Sequence, residues 1–370
     1  RQQPADCIIM ATPVGDSYST QGGVIAAGRS VKTTLQLAAE VLLPGAQSVV
    51  TQASINAAGA NGTLPWMKTN AAPSSLDLLD WANGMPWDSV KKRAYACGGR
   101  DYAYALNVKM VTFDAKADTW DSTIDPWNGA TNGGHLWNMF DLASQHELML
   151  YVSYGNAKIS VWDTVSKTPQ ASIPVPPTGG YGGFDPVTAI AWHPTLGAQG
   201  SIVWMNLTRK RIMRYDWLTS TWSELKIDGV SGTDDAMIAC YLSGPEVVLI
   251  GNSHNYATAP FPAFNIIDNT GAWSTTPPAP AQLSCNGSSA RGPLVAHPDG
   301  NSAIAFSLDD GHMYQWVAAS NTWVDRGLTP TGLNTQYSIA CTIPEYGVIM
   351  FVQATSAGAP FYVRIYKPDY

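Results

Sequence analysis

The sequence contains few charged residues, and this shortage sets the first limits on function. Asp, Glu, Lys and Arg make up 13% of the 370 residues, about half of their usual share in globular proteins. The 28 acidic residues outnumber the 21 basic ones, which gives a formal net charge of −7. Binding to a nucleic-acid backbone requires a positively charged surface. We therefore expect no nucleic acid among the partners.

Cysteine is also scarce, and no spacing typical of metal ligands accompanies it. The five cysteines are widely separated and include no CxxC pair, so the sequence predicts neither a disulfide framework nor a zinc or redox site of that type. The histidines show no HxH or HExxH spacing. Cys240 and Cys341 each follow Ile-Ala in an apolar stretch, which is typical of buried packing residues. We expect no metal and no cofactor.

Long apolar runs are missing as well. No stretch approaches the roughly 18 uninterrupted apolar residues that a membrane-spanning helix requires, so we expect no membrane insertion. The hydrophobic fraction of 45% is nevertheless that of a folded protein. At this length the chain is either two domains or one large all-β architecture.

Tryptophan, glycine and proline are abundant, and the tryptophans recur at a fixed period. The chain has 14 Trp, 33 Gly and 25 Pro. Four similar strings, ADTW, STW, GAW and NTW, end at Trp120, Trp222, Trp273 and Trp323. Their separations are 102, 51 and 50 residues, so one unit is skipped near residue 171. Counting back once from Trp120 reaches Trp66. A period of ~50 residues is typical of a β-propeller.

Each period contains four short segments with the character of strands, which is the content of one propeller blade. The sixth unit has only three such segments before Tyr370. We therefore predict an all-β, six-bladed β-propeller with four-stranded blades, closed by an N-terminal strand at about 62–68. Residues 1–60 form an N-terminal extension or docking arm in this prediction, and residues 61–370 form the ring.

A short helix is predicted within the N-terminal extension. Thr33-Thr34 precedes a segment whose apolar residues are Leu35, Leu37, Ala38, Ala39, Val41 and Leu42, and Pro44-Gly45 follows it. This order of cap, apolar run and breaker predicts a helix of two to three turns. The extension serves either as a packing appendage or as an arm for docking or oligomerisation.

One unit carries a more specific pattern. The segment Arg93 to Arg100 has a double glycine after a strand, and Phe113-Asp114 and Thr119-Trp120 complete the unit. Over about residues 62–370 the chain resembles the kelch and galactose-oxidase-like propeller superfamily, although the other five units lack the double glycine. The composition is similar to that of propellers in phage structural proteins and secreted bacterial proteins. The resemblance implies a propeller located outside a cell or on a virion.

Candidate binding residues lie in the loops that a propeller gathers at one face. These are the loops between second and third strands and those between blades, which surround the central channel. Aromatic rings beside polar side chains suit sugars, because C–H groups stack on rings and hydroxyls need hydrogen-bond partners. The candidate ligand-binding residues are Arg100, Asp101, Tyr102, Trp127, His135, Tyr181, Asp185, His254, Tyr256 and Arg291.

No complete catalytic motif accompanies these residues, and we assign no catalytic residue. Asp234-Asp235 and Asp309-Asp310 offer carboxylates of the kind that glycosidases use, but neighbours on a strand point to opposite faces. Neither doublet alone therefore forms a catalytic pair. His193 and His297 each precede a proline in equivalent turns, which indicates a role in the repeat.

We expect a non-catalytic propeller outside the cell or on a virion, acting as a structural or attachment protein. Its loop face binds a glycan or a protein receptor, and residues 1–60 contact a structural partner; a homo-oligomer is a further alternative. Two other functions stay open. One is a secreted glycan-active enzyme, either a glycosidase or a polysaccharide lyase, with its site at the channel mouth. The other is an architectural spacer docked by its N-terminal arm.

Overall fold

A computed structural model describes most of the repeat array. The described residues are 32–51, 84–98, 109–124, 140–152, 158–176, 188–206, 210–230, 238–251, 261–281, 283, 293–307, 310–333, 338–354 and 361–369. They form one α-helix, two turns of 3₁₀ helix (Ser144–His146 and Pro344–Tyr346) and six four-stranded antiparallel sheets. In five of the sheets the spatial order of the strands is their order in the chain, so each sheet is a meander and forms one blade.

The blades follow one another along the chain. Blade 1 consists of β2 (Trp87–Asp88), β3 (Arg93–Gly98), β4 (Lys109–Asp114) and β5 (Thr119–Ile124); blade 2 of β6 (Phe140–Ala143), β7 (Leu148–Val152), β8 (Lys158–Asp163) and β9 (Thr168–Pro174); and blade 3 of β10 (Thr188–His193), β11 (Ser201–Asn206), β12 (Arg211–Asp216) and β13 (Thr221–Ile227). Blade 4 consists of β14 (Ile238–Leu242), β15 (Val247–Gly251), β16 (Phe264–Asp268) and β17 (Trp273–Thr275). Blade 5 consists of β18 (Leu294–Ala296), β19 (Ser302–Phe306), β20 (His312–Val317) and β21 (Thr322–Leu328). Blade 6 consists of β22 (Ser338–Ile343), β23 (Val348–Ala354), β24 (Phe361–Tyr366) and β1 (Gln47–Thr51). The predicted six-bladed all-β propeller is confirmed.

The ring is closed by an N-terminal strand, as predicted, but by a different one. β1 pairs antiparallel with β24, with Ser48 opposite Ile365, and it fills the outer position of blade 6. The prediction of a closing strand at about 62–68 is wrong for this position, and residues 62–68 themselves lie outside the described residues. The ring thus includes part of the segment that the sequence assigned to the extension.

The error has a physical cause in the closing strand. In blade 1, Trp120 lies opposite Phe113, and the equivalent residue of blade 6 is Gln47, opposite Tyr366. The closing strand β1 therefore lacks the tryptophan that recurs in the other blades. The connection from β1 to β2 also runs over residues 52–86, far longer than the 9 to 18 residues between the other blades. Counting one period back consequently reached the wrong segment.

The predicted helix is present and packs on the ring. α1 (Thr34–Val41) begins after Thr33, whose hydroxyl accepts a hydrogen bond of 3.0 Å from the Gln36 N–H, as N-cap residues do. Leu35 and Ala39 are buried in an apolar core shared with blades 1 and 6. The described helix is therefore a packing element of the blade 6 and blade 1 region.

Apolar side chains between neighbouring blades form the core. The second strands are the most buried: all residues of β11, β15 and β19 are buried, which explains their short continuous apolar runs. The outer strands are largely exposed, as in β9 and β13. Burial thus falls from the inner strands to the rim of the ring.

The aspartates that recur at the ends of third strands stabilise turns. The Oδ1 atom of Asp163 accepts hydrogen bonds from the N–H groups of Val165 and Ser166, at 2.7 and 2.8 Å. These bonds, the one from Ser166 foremost, hold the pKa of the Asp163 carboxyl below its usual value. Asp114 and Asp268 make the same type of contact. The repeated aspartates are turn residues of the fold.

Candidate functional site

The connections between strands divide between two faces of the ring. The first strands of all six blades end around one cavity, so they run in the same direction. The turn face comprises the turns from first to second and from third to fourth strands, namely residues 89–92, 115–118, 144–147, 164–167, 194–200, 217–220, 243–246, 269–272, 297–301, 318–321 and 344–347. The loop face is the opposite one, where second strands end, third strands begin and one blade connects to the next.

All ten predicted binding residues lie outside the described residues. Arg100, Asp101, Tyr102, Trp127, His135, Tyr181, Asp185, His254, Tyr256 and Arg291 belong to segments 99–108, 125–139, 177–187, 252–260 and 284–292. Each segment connects two strands whose described ends lie at the loop face. The assignment of these residues to a ligand site stays a prediction, and so does a pairing of the Asp234-Asp235 doublet, which also falls outside the described residues.

A polar cluster of blade 5 lies at the loop face among the described residues. The Nδ1 atom of His312 lies 2.9 Å from both carboxylate oxygens of Asp325. The Tyr314 hydroxyl donates a 2.5 Å hydrogen bond to Asp310, and the His312 N–H donates to the same carboxylate at 3.0 Å. The rings of His312 and Tyr314 are stacked, with centroids 6.1 Å apart.

The charges in the blade 5 cluster support one another. The hydrogen bond to Asp325 raises the pKa of His312, and the Gly327 N–H together with His312 lowers the pKa of Asp325. Burial and the Asp310 carboxylate raise the pKa of Tyr314, which keeps its hydroxyl protonated. The cluster therefore presents an imidazole and carboxylates that are held in place by hydrogen bonds. The cluster combines residues of β20 and β21, with Tyr314 opposite Asp325, so no local sequence motif indicates it.

A cavity of about 450 Å³ lies in the central channel beneath the turn face. It is lined by the ends of the six first strands and by the turns that follow them. Most of its walls are apolar or aromatic, including Met85, Phe140, Trp192 and Leu294. Its volume is in the range of small-molecule sites.

Asp141 is the acidic residue among the described residues that line this cavity. Its Oδ2 atom accepts a 2.6 Å hydrogen bond from the Trp192 N–H of the next blade, and its Oδ1 atom accepts one of 2.7 Å from the Leu142 N–H. Burial raises the pKa of the carboxyl to about 6, against the lowering effect of these two bonds. Asp141 was not singled out from the sequence, because Phe-Asp-Leu-Ala matches no motif.

The cysteines near this cavity are packing residues, as the sequence predicted. Cys341 is buried and Cys240 is partly exposed, and both are free thiols. Burial raises the pKa of each thiol above its usual value, and the Asp141 charge adds to the effect at Cys240. Thiolate chemistry is consequently suppressed at both positions.

His193, the last residue of β10, and His297, which directly follows β18, occupy equivalent positions, as expected for repeat residues. His193 lies opposite Ser201, and the His297 N–H donates to the Ser302 carbonyl at 2.7 Å. His193 is fully buried, and burial lowers its pKa to about 4. The imidazole of His193 is therefore neutral at physiological pH.

Within the described part of the chain, no group of three or more His, Cys, Asp or Glu side chains has an arrangement that could hold a metal ion. The helix in the same part is too short to cross a membrane.

Comparisons with known proteins bear on the fold. No protein-family model matches the chain, and no curated protein shows significant similarity to it. A structural-genomics protein of unknown function from Bacteroides thetaiotaomicron VPI-5482 is similar in structure, with a TM-score of 0.50, 10% identity and coverage of 82% of this chain and 73% of that one. The β-propeller domain of Cps50 (Swd1) from Myceliophteria thermophila has a TM-score of 0.46, 11% identity and coverage of 80% and 98%. At such identities a likeness concerns the fold alone, and the sheet topology identifies that fold as a six-bladed β-propeller.

Proposed function

We propose that this chain is a recognition propeller of the kelch-like type that binds a glycan at its loop face, outside a cell or on a virion. In this proposal the protein is a structural or attachment component and does not transform its ligand. The ten residues from Arg100 to Arg291 named above supply aromatic surfaces and hydrogen-bonding groups, and the N-terminal segment contacts a structural partner.

The observation that supports the proposal is the direction of the described strands. In every blade the second strand ends and the third begins at the loop face. Segments rich in Tyr, Trp, His, Asp and Arg start and finish there. Binding residues are often carried on loops that a rigid scaffold holds in position.

The blade 5 cluster supports the proposal with residues that the structure describes. His312, Asp310 and Asp325 form a fixed set of donors and acceptors at the same face. Sugar hydroxyls are both donors and acceptors, so such mixed groups match them. By contrast, the repeated aspartates of the turn face are engaged by backbone N–H groups. The blade 5 cluster is therefore better suited to sugar hydroxyls than the repeated aspartates of the turn face.

A glycan array probed with the intact chain, followed by mass spectrometry of the arrayed glycans, tests this function. The proposal predicts saturable binding to a class of glycans whose masses do not change. Glycans of lower mass after incubation would instead make the protein a glycosidase or a polysaccharide lyase. Failure to bind any glycan would overturn glycan recognition and favour a protein receptor or an architectural role.

A further inference from the structure

The cavity beneath the turn face has features that the fold itself does not require. Its lining includes residues from one equivalent position of the blades, two residues before the residue that lies opposite the start of the second strand. Across blades 1 to 6 this position holds Pro86, Asp141, Ala191, Cys240, Val295 and Cys341, and all of them except Ala191 line the cavity. Five blades fold with a proline, an alanine, a valine or a cysteine at this position. An acidic residue is therefore not a structural necessity of the repeat.

Asp141 retains hydrogen-bonding capacity toward the cavity. Each of its oxygens accepts one bond from a backbone N–H, of Trp192 and of Leu142. A carboxylate has about four acceptor positions, so about half of them stay available. The side chain is partly exposed, and it lines the open volume.

The described cavity lining contains no Lys or Arg that could neutralise this carboxylate. The other described titratable side chains are Cys240, Tyr241, His297 and Cys341, and His297 is paired with Asp299 at 2.8 Å. The cationic groups of the neighbouring turn, Lys91 and Lys92, are paired with Glu147 and Glu345. The described lining therefore has an excess of negative charge.

The remaining walls match the body of an organic cation. Trp87, Phe140 and Tyr241 contribute aromatic surface, and Met85 and Leu294 contribute aliphatic surface. Aromatic faces attract ammonium groups. Apart from the bridge between Gly84 and Ala340, the first strands pair on one side only. Alternate carbonyl groups along their free edges therefore face the channel and are acceptors for a group with several N–H donors.

From these features we infer that the turn-face end of the channel is a binding site for a primary ammonium group on a short aliphatic chain, held by the Asp141 carboxylate. Three N–H donors meet the carboxylate and inner-strand carbonyls, and the chain lies against the apolar wall. This site lies at the opposite face from the glycan site of the proposed function, and it does not depend on that function.

A ligand-observed NMR titration with n-butylammonium, at neutral pH and constant ionic strength, tests the site. The matched neutral probe is n-butanol, which has the same aliphatic chain without the charge. The variant is Asp141→Asn, which keeps the size and one acceptor oxygen. The control variant is Asp121→Asn, since Asp121 lies on an outer strand and pairs with Lys167 instead.

The wild-type chain is expected to bind n-butylammonium at least about tenfold more tightly than n-butanol, and Asp141→Asn to lose about tenfold in affinity. Asp121→Asn should retain the wild-type affinity. Equal affinity for the two probes, equal affinity of Asp141→Asn and wild type, or no saturable binding would each overturn the inference.

A second readout locates the ligand without a variant. Trp192 lines the same cavity, and its backbone N–H donates to the Asp141 carboxylate. Bound n-butylammonium should therefore shift the backbone N–H signal of Trp192 in a ¹H–¹⁵N correlation spectrum of the wild-type chain, whereas n-butanol at the same concentration should not. An unchanged Trp192 signal at saturating n-butylammonium would contradict binding in this cavity, even if Asp141→Asn failed to fold.

Discussion

The indole Nε1 of Trp87 donates a 3.0 Å hydrogen bond to the Oε1 atom of Glu345, across the junction between blade 1 and blade 6. The same carboxylate receives Ser89 Oγ at 3.3 Å and Lys92 Nζ at 2.6 Å. Blade 6 is the one blade built from both ends of the described chain. Glu345 therefore links the last blade to the first, in addition to the strand β1.

Removing the Glu345 carboxylate should destabilise the ring. Glu345→Ala leaves Trp87, Ser89 and Lys92 without their shared acceptor, and we expect a loss of about 1–3 kcal/mol in the free energy of unfolding. Urea denaturation of both proteins measures it. The control is Glu147→Ala, because Glu147 makes an exposed ion pair with Lys91, where we expect about 1 kcal/mol or less. Equal losses in the two variants would show that Glu345 has no special role at this junction.

Deleting the closing strand should prevent formation of a stable ring. A chain lacking residues 1–51 loses β1 and the buried residues Leu35 and Ala39 of α1, and it leaves the edge of β24 unpaired. We expect aggregation or loss of cooperative unfolding, followed by circular dichroism and light scattering. A chain lacking residues 1–31 should keep both properties of the full chain. A stable 52–370 chain would mean that another segment, such as 62–68, is able to close the ring.

The stability of the protein should depend on pH through Asp141. Burial raises the pKa of its carboxyl to about 6 in the folded state, above its unfolded value, so the folded state favours the protonated form. This contribution is present at low pH and is lost as pH rises through about 6. Relative to Asp141→Asn, the wild type should gain about 1.5 kcal/mol on going from about pH 7.5 to about pH 5. Urea denaturation across this range measures the free energy of unfolding of both proteins. A difference between them that does not change with pH would contradict the raised pKa of Asp141.

His193 should give a pH dependence of the opposite sign. Burial lowers its pKa to about 4, so the folded state excludes the proton that the unfolded chain takes up below about pH 6.5. The contribution is present above the unfolded pKa and is lost as pH falls toward about 4. His193→Leu places at this position a residue like the equivalent Leu242 and Ile343. Relative to this variant, the wild type should lose about 2 kcal/mol between about pH 7.5 and about pH 5; parallel unfolding curves would refute a buried neutral histidine.

The fold was predictable where a side chain makes the same contact in several blades. Trp222 Nε1 donates to the Pro174 carbonyl of the preceding blade at 2.8 Å, and Trp323 Nε1 makes the corresponding bond to Pro277. Such a repeated contact leaves a period in the sequence. In the closing strand Gln47 replaces the tryptophan and accepts a hydrogen bond from Arg364 at 2.8 Å. No period marks that contact, so the strand was misplaced.

The channel cavity was not predictable from the sequence, for a related reason. Asp141 occurs in one blade, inside a strand, and its partner Trp192 lies 51 residues away in the next blade. Nothing in the local sequence indicates that pairing. The blade 5 cluster was not predicted either: His312 and Asp310 are close in the sequence, but Asp325 joins them only through the pairing of β20 with β21.

The most direct test of the account compares glycan binding by the intact chain and by variants of its two faces. The loop-face variants are His254→Ala/Tyr256→Ala and, among the described residues, His312→Ala. The turn-face control is Lys116→Ala, at an exposed turn of blade 1. We expect the loop-face variants to lose about tenfold or more in affinity, Lys116→Ala to bind like the wild type, and the glycans to keep their mass in every sample. Unchanged binding by both loop-face variants, or glycans shortened by the wild type, would contradict non-catalytic glycan recognition at the loop face.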